Sequence, residues 1–237
     1  MLMLKTARII QVVLLVVIVA AGIRFYLYMR DRQAALVVAP PPKAERALDA
    51  DAYVSPKKLH PQDLKDAKEL TQQPAWVRAG YQIVYYPFNG HVDFAHPAGH
   101  LGPIEKLDIK DVVVDRPPKG EKQVMAVFEK DGKKFAFPIG NAEGNSFTIY
   151  SDDMLFIQDP HELYKHWPSD VWQAIENHQV KPGMNELQAS FAVGVGVPEG
   201  NGTGNPRIVN YPNDGHPLRV IFDNGKATEI TPQSSTS

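Results

Sequence analysis

The sequence predicts an α+β protein in three parts: a single N-terminal transmembrane helix, a small β-barrel-like domain of SH3 type, and a two-layer αα-βββ domain. Three observations predict it. An apolar run occupies residues 9–29, and short runs rich in β-branched and aromatic residues fill 75–157 between turn signals. From Trp167 onward, two helical patterns precede three strand patterns. The implied boundaries are a tail at 1–8, an anchor at 9–29, a Pro/Ala-rich stalk with a short helix at 30–74, the β-rich domain at 75–157, the αα-βββ domain at 158–231 and a disordered tail at 232–237.

Lys5 and Arg8 precede Ile9–Ile23, where Gln11 is the one strongly polar residue. As a helix that core spans about 22 Å, short of a ~30 Å hydrocarbon layer. Continuing through Met29 brings it to about 31 Å, with Arg24 snorkelling and Tyr26 and Tyr28 at the interface. Val19-Ala20-Ala21 would serve as a signal-peptide cleavage site, but the apolar, aromatic stretch runs past it and favours an uncut anchor. Basic residues flank both ends, so charge does not orient the segment. Pro40-Pro41-Pro42 then reads as an extended spacer. Leu64, Ala67 and Leu70 recur at helical spacing before Pro74.

Composition excludes several function classes. With 25 basic and 27 acidic residues the net charge is −2, and no basic face is available to displace counterions from a nucleic acid. The absence of cysteine removes disulfides, thiolate metal sites, thiol nucleophiles and lipidation on an N-terminal cysteine.

The β-rich stretch contains strand patterns at Trp76-Val77, Tyr81–Tyr86, Leu107–Val114, Gln123–Glu129, Lys134–Pro138 and Ser146–Tyr150. Asp131-Gly132 joins two of them with hairpin chemistry, since both turn residues tolerate positive φ. Further on, Asp159 and Pro160 mark a helix start, and Ser169–His178 is amphipathic with Ser169 as the expected N-cap. Asn185 and Gln188 form an N-x-x-Q capping box for a second helix that Gly194 stops. After a glycine-rich loop at 196–204, strands follow at Arg207–Tyr211, Leu218–Phe222 and Lys226–Ile230.

The run Gly183-Met184-Asn185-Glu186-Leu187-Gln188-Ala189-Ser190-Phe191-Ala192-Val193-Gly194 resembles the signature of the SmpA/OmlA (BamE-like) family. That signature is a glycine, an apolar residue and a capping residue, then a short helix ending in leucine-glycine and soon a proline. Here Val193 stands for the leucine and Pro198 falls four residues after Gly194. The resemblance covers about Trp167–Ile230 and implies an αα-βββ fold. It also implies a non-catalytic extracytoplasmic role, in which family members assist outer-membrane assembly through protein contacts. Members are typically lipoproteins; with no cysteine here, a transmembrane anchor would replace the lipid.

Candidate chemistry is sparse. His91, Asp93, His96 and His100 lie within ten residues and carry competent metal ligands, but on a loop-like stretch without the fixed spacing of one regular element. His161 and His166 are five apart, so on a helix their rings diverge by roughly 140° and cannot share one zinc. Asp152-Asp153 reads as a polar turn. Tyr81, Tyr85, Tyr86 and Phe88 are the candidate partner-binding residues, because alternation along their strand would expose one aromatic face unless both faces are core.

The resulting expectation is a single-pass protein of the inner (cytoplasmic) membrane with its C-terminal part extracytoplasmic or periplasmic. It would act as a binding or scaffolding protein with an envelope protein partner, using no cofactor and no catalysis. The alternatives are an envelope metal-dependent hydrolase using the histidines around 91–100, or a ligand-sensing module of a membrane complex.

Overall fold

The computed structural model describes residues 19–30, 50–201 and 204–234. Residues 19–30 form a helix, α1, whose side chains are all exposed, Ile23, Phe25, Tyr26 and Tyr28 among them. The predicted transmembrane helix is not seen: among the described residues, no helix is long and apolar enough to cross a membrane. The described part of α1 reaches about 18 Å of the ~30 Å required, and Arg24 and Arg30 fall within it. Residues 1–18, which hold the rest of the predicted anchor, lie outside the described residues, as do the proline spacer at 40–42 and the tail at 235–237.

From Asp49 onward the chain is a single compact unit. It begins with a strap: a 3-10 turn at Ala50–Tyr53, an extended stretch, α2 (Leu64–Ala67), and a second 3-10 turn at Lys68–Gln72. Asp63 caps α2 by accepting a hydrogen bond from the Asp66 amide. Leu64, Ala67 and Leu70 face the core, as their spacing predicts.

The main sheet is antiparallel throughout, in the order β3 (Gly99–His100), β2 (Val84–Pro87), β7 (Lys133–Glu143), β6 (Lys122–Lys130), β5 (Ile109–Asp115). β8 (Ser146–Ile149) also pairs with β7. Asp131 and Gly132 turn the β6–β7 hairpin with φ of 52° and 72°, as predicted. The expected SH3-like barrel does not close. The free edge of β5 is met by the helical turns at 64–72, with Lys68 pairing to Asp111 at 3.3 Å, instead of by β3.

A second sheet is small and central: β4 (Lys106–Leu107), β1 (Ala75–Val77) and β9 (Leu155–Phe156), with β1 in the middle. Alternation divides its side chains between two cores. Ala75, Val77, Leu107 and Leu155 join Phe128, Phe137 and Ile139 of the main sheet. Trp76 and Phe156 point the other way, into the C-terminal layer. The helix α3 (Ser151–Met154) leads into β9.

The C-terminal layer contains α4 (Pro160–Leu163), α5 (Ser169–Glu176) and α6 (Glu186–Val193). Asp159 caps α4, and the Asn185–Gln188 capping box of α6 is complete. Pro168, not Ser169, occupies the cap position of α5, because its extended backbone precedes the first helical residue. The helices cover an antiparallel sheet of four strands in sequence order: β10 (Val197–Pro198), β11 (Arg207–Tyr211), β12 (Leu218–Asp223) and β13 (Lys226–Pro232). In this sheet β10 is unpredicted, as β3 and β9 are elsewhere: Val197 and Pro198, inside the glycine-rich stretch, pair with Asn210 and Val209. Val209, Tyr211, Val220 and Phe222 pack beneath Ala189, Phe191 and Ala192.

Two further contacts tie neighbouring parts of this unit together. Gly194 ends α6 with φ +82°, and a Cβ there would lie 2.6 Å from the Gly80 carbonyl oxygen. Gly194→Ala is expected to lower stability by about 1–3 kcal/mol, measured by urea unfolding; an unchanged midpoint would show that this approach is not constrained. In the strap, the largely buried Asp51 carboxylate accepts from His166 Nε2 at 2.7 Å, Trp167 Nε1 at 2.6 Å and Asn185 Nδ2 at 2.6 Å. Asp51→Ala is expected to cost about 3 kcal/mol and to open residues 50–62 to limited proteolysis. A digestion pattern identical to wild type would count against that role.

Candidate functional site

At the exit of β1, the amides of Arg78 and Ala79 donate to Met154 O, which sets Arg78 beside β9. Its guanidinium stands 5.5 Å from the Phe156 ring centroid and donates from Nη1 to Asp152 O at 3.3 Å. Beyond Phe156 an aromatic series runs through the C-terminal layer. Phe191 lies 5.7 Å from Phe156, Tyr164 lies 5.2 Å from Phe191, and Trp167 stacks on Tyr164 at 4.5 Å. Trp172 and His161 continue it outward, at 5.2 Å and 4.1 Å.

Where this series meets β1 and β11 there is a cleft of about 390 Å³, lined among others by Arg78, Phe156, Tyr164, Glu186, Ser190 and Tyr211. It lies between the central sheet with α3 on one side and the C-terminal layer on the other. Its acidic groups are compensated: Glu186 takes both Arg207 Nε (2.7 Å) and Nη2 (3.1 Å), and Asp153 pairs with Lys58 at 3.6 Å. No carboxylate pairs with Arg78 among the described residues. The Tyr211 hydroxyl, at the end of β11, is buried and has no hydrogen-bond partner among the described residues. Burial pushes the Tyr211 phenol well above its ordinary pKa; the Glu186 charge adds to this and Arg207 opposes it. Tyr164 is also raised by burial, with Arg78 pulling it down and Asp51 pushing it up.

Ser190 Oγ donates to Leu187 O at 2.7 Å, and no histidine is among the described residues of the lining. A single uncompensated cation, an aromatic floor and an unsatisfied hydroxyl are groups that orient a ligand.

The predicted site residues are dispersed. Asp93 and His96 pair with each other at 2.9 Å, His100 contacts Asp214 at 3.1 Å, and His91 approaches Asp115 at 3.8 Å. Each imidazole has its own carboxylate, and among the described residues no group of three or more His, Asp or Glu could hold a metal ion. Of the aromatic candidates, Tyr85 packs edge-on against Phe128 and Phe135 on one side of the main sheet. Tyr86 and Phe88 join Val92, Phe94, Met125 and Val127 on the other. Tyr81 sits in a turn before β2, with φ +60°, and packs near His178. The strand starts at Val84, and Tyr81, Tyr85, Tyr86 and Phe88 are all half-buried.

Arg78, Phe156, Glu186 and Tyr211 were not singled out in the sequence. Strand alternation places Arg207 and Tyr211 on the helix-facing side of β11, but nothing in the pattern pairs them with Arg78, more than a hundred residues earlier.

No family model, curated protein or solved structure matches the chain.

The raised Tyr211 pKa sets a pH dependence. Above about pH 10 the phenol ionises in the unfolded chain but stays protonated in the fold. The unfolded state then binds fewer protons, and stability falls as pH rises. Tyr211→Phe is expected to flatten that alkaline loss, read as the slope of unfolding free energy between about pH 9.5 and 11. An unchanged slope would place the titration elsewhere.

Proposed function

We propose that this chain is a non-catalytic binding or scaffolding protein of the bacterial cell envelope, working on the extracytoplasmic side and taking its partner at the cleft between the central sheet and the C-terminal layer. The observation that carries the reading is the cleft itself, with Arg78 uncompensated at its rim and Tyr211 unsatisfied at its floor. The envelope setting is supported by the resemblance of 167–230 to the SmpA/OmlA family. The dispersed histidines give the metal-hydrolase alternative no support.

In a bacterial host, in-cell crosslinking of the full chain is expected to capture a specific envelope protein, and a C-terminal phosphatase fusion is expected to be active. Failure to capture any reproducible partner would remove the scaffolding role. A fluorescent C-terminal green protein fusion without phosphatase activity would remove the exported location.

A further inference from the structure

We propose that the cleft takes the free C-terminal end of a peptide chain, its carboxylate against Arg78 and its last apolar side chain on the Phe156–Tyr164–Phe191 floor. The inference rests on the binding role above and names the ligand of that same cleft.

Three properties select this ligand. Charge comes first. Glu186 is neutralised by Arg207 and Asp153 by Lys58, which leaves one uncompensated cation, Arg78, in the lining. One guanidinium suits one carboxylate, and its planar fork matches that geometry. A phosphate dianion would have only half its charge met by that one cation. Size is the second property. About 390 Å³ is near the small end of ligand sites, enough for one or two residues.

The third property is the Tyr211 hydroxyl, whose orphaned state in a buried position costs free energy until a partner arrives. A peptide carbonyl supplies an acceptor beside an apolar side chain. An acyl chain carries a carboxylate and apolar surface but nothing for that hydroxyl. The Tyr211 hydroxyl oxygen is itself buried, so side chains of the floor must shift as the peptide end enters for this hydrogen bond to form. An adsorbed rim contact would not satisfy it.

The test is calorimetric titration of the full chain with N-acetyl-Leu-Phe bearing a free carboxylate, with its C-terminal amide, and with dodecanoate. The free acid is expected to bind about tenfold more tightly than the amide. Arg78→Gln should abolish that preference while leaving the weak amide affinity in place, and Tyr211→Phe should weaken both peptides. Thermal melts confirm that each variant is folded.

Equal binding of acid and amide, no binding of either, or an acid preference that survives Arg78→Gln would each overturn the proposal. Dodecanoate binding more tightly than the peptide acid, and with the same dependence on Arg78, would overturn it in favour of a fatty acid. Crosslinking separates this from the broader role. A partner captured equally by wild type and Arg78→Gln, without peptide binding, would remove the peptide ligand and leave the scaffolding function. Carboxylate-selective peptide binding without a captured envelope protein would support the ligand and remove the envelope role.

Discussion

A three-stranded sheet with both faces buried is the constraint on which the rest of this structure depends. β4, β1 and β9 are two or three residues long, too short to stand alone, and they are stable because each face completes a different hydrophobic core. Val77 and Leu155 belong to the main-sheet core, and their immediate neighbours Trp76 and Phe156 belong to the C-terminal one. A one-residue slip of β1 would exchange Trp76 with Val77 and disturb both cores at once. For that reason the two halves behave as layers of one unit.

The same geometry accounts for the polar groups that are spent on structure. The aromatic series behind Phe156 contains the indole of Trp167, and a buried N–H needs an acceptor. Asp51 provides it and also serves His166 and the Asn185 side chain. Asp152 does comparable work, accepting from the amides of Leu59 and His60. Both carboxylates belong to acidic residues whose side chains are turned inward, onto groups of the protein itself. What remains unsatisfied at the cleft is therefore conspicuous by contrast.

Much of the fold could be read from local pattern. The DG hairpin, the Asn185 capping box, the Asp159-Pro160 helix start and the apolar spacing of Leu64, Ala67 and Leu70 all depend on residues within a few positions of one another. Local signals fail where distant contacts override them. Tyr81–Ile83 has strand composition, yet Tyr81 sits in a turn because its amide donates to Leu101 O at the layer junction. β10 has glycine-rich flanks and becomes a strand only because β11 offers it an edge. The cleft was illegible for the same reason. Its walls come from the exit of β1, from β9, from α6 and from β11, and no spacing rule links Arg78 to Glu186 or Tyr211. The apolar run at 9–29 is the opposite case, a strong local signal of which the described residues supply only a short, arginine-containing helix.

The strap ties these observations to the cleft. Its first turn is fixed by Asp51 to Trp167 and Asn185, the residue that caps α6 and so sets one wall. A few residues later, Leu59 and His60 are held by Asp152, whose carbonyl also accepts from Arg78 on the other wall. Lys58 lies between, compensating Asp153 at the rim. One short segment therefore reaches both walls and contributes to the charge balance that leaves Arg78 uncompensated. If a ligand in the cleft favours one docking state of the strap, docking of the strap favours the ligand by the same factor, since linkage between sites is reciprocal. Occupancy of the cleft and docking of the strap are thus expected to be coupled.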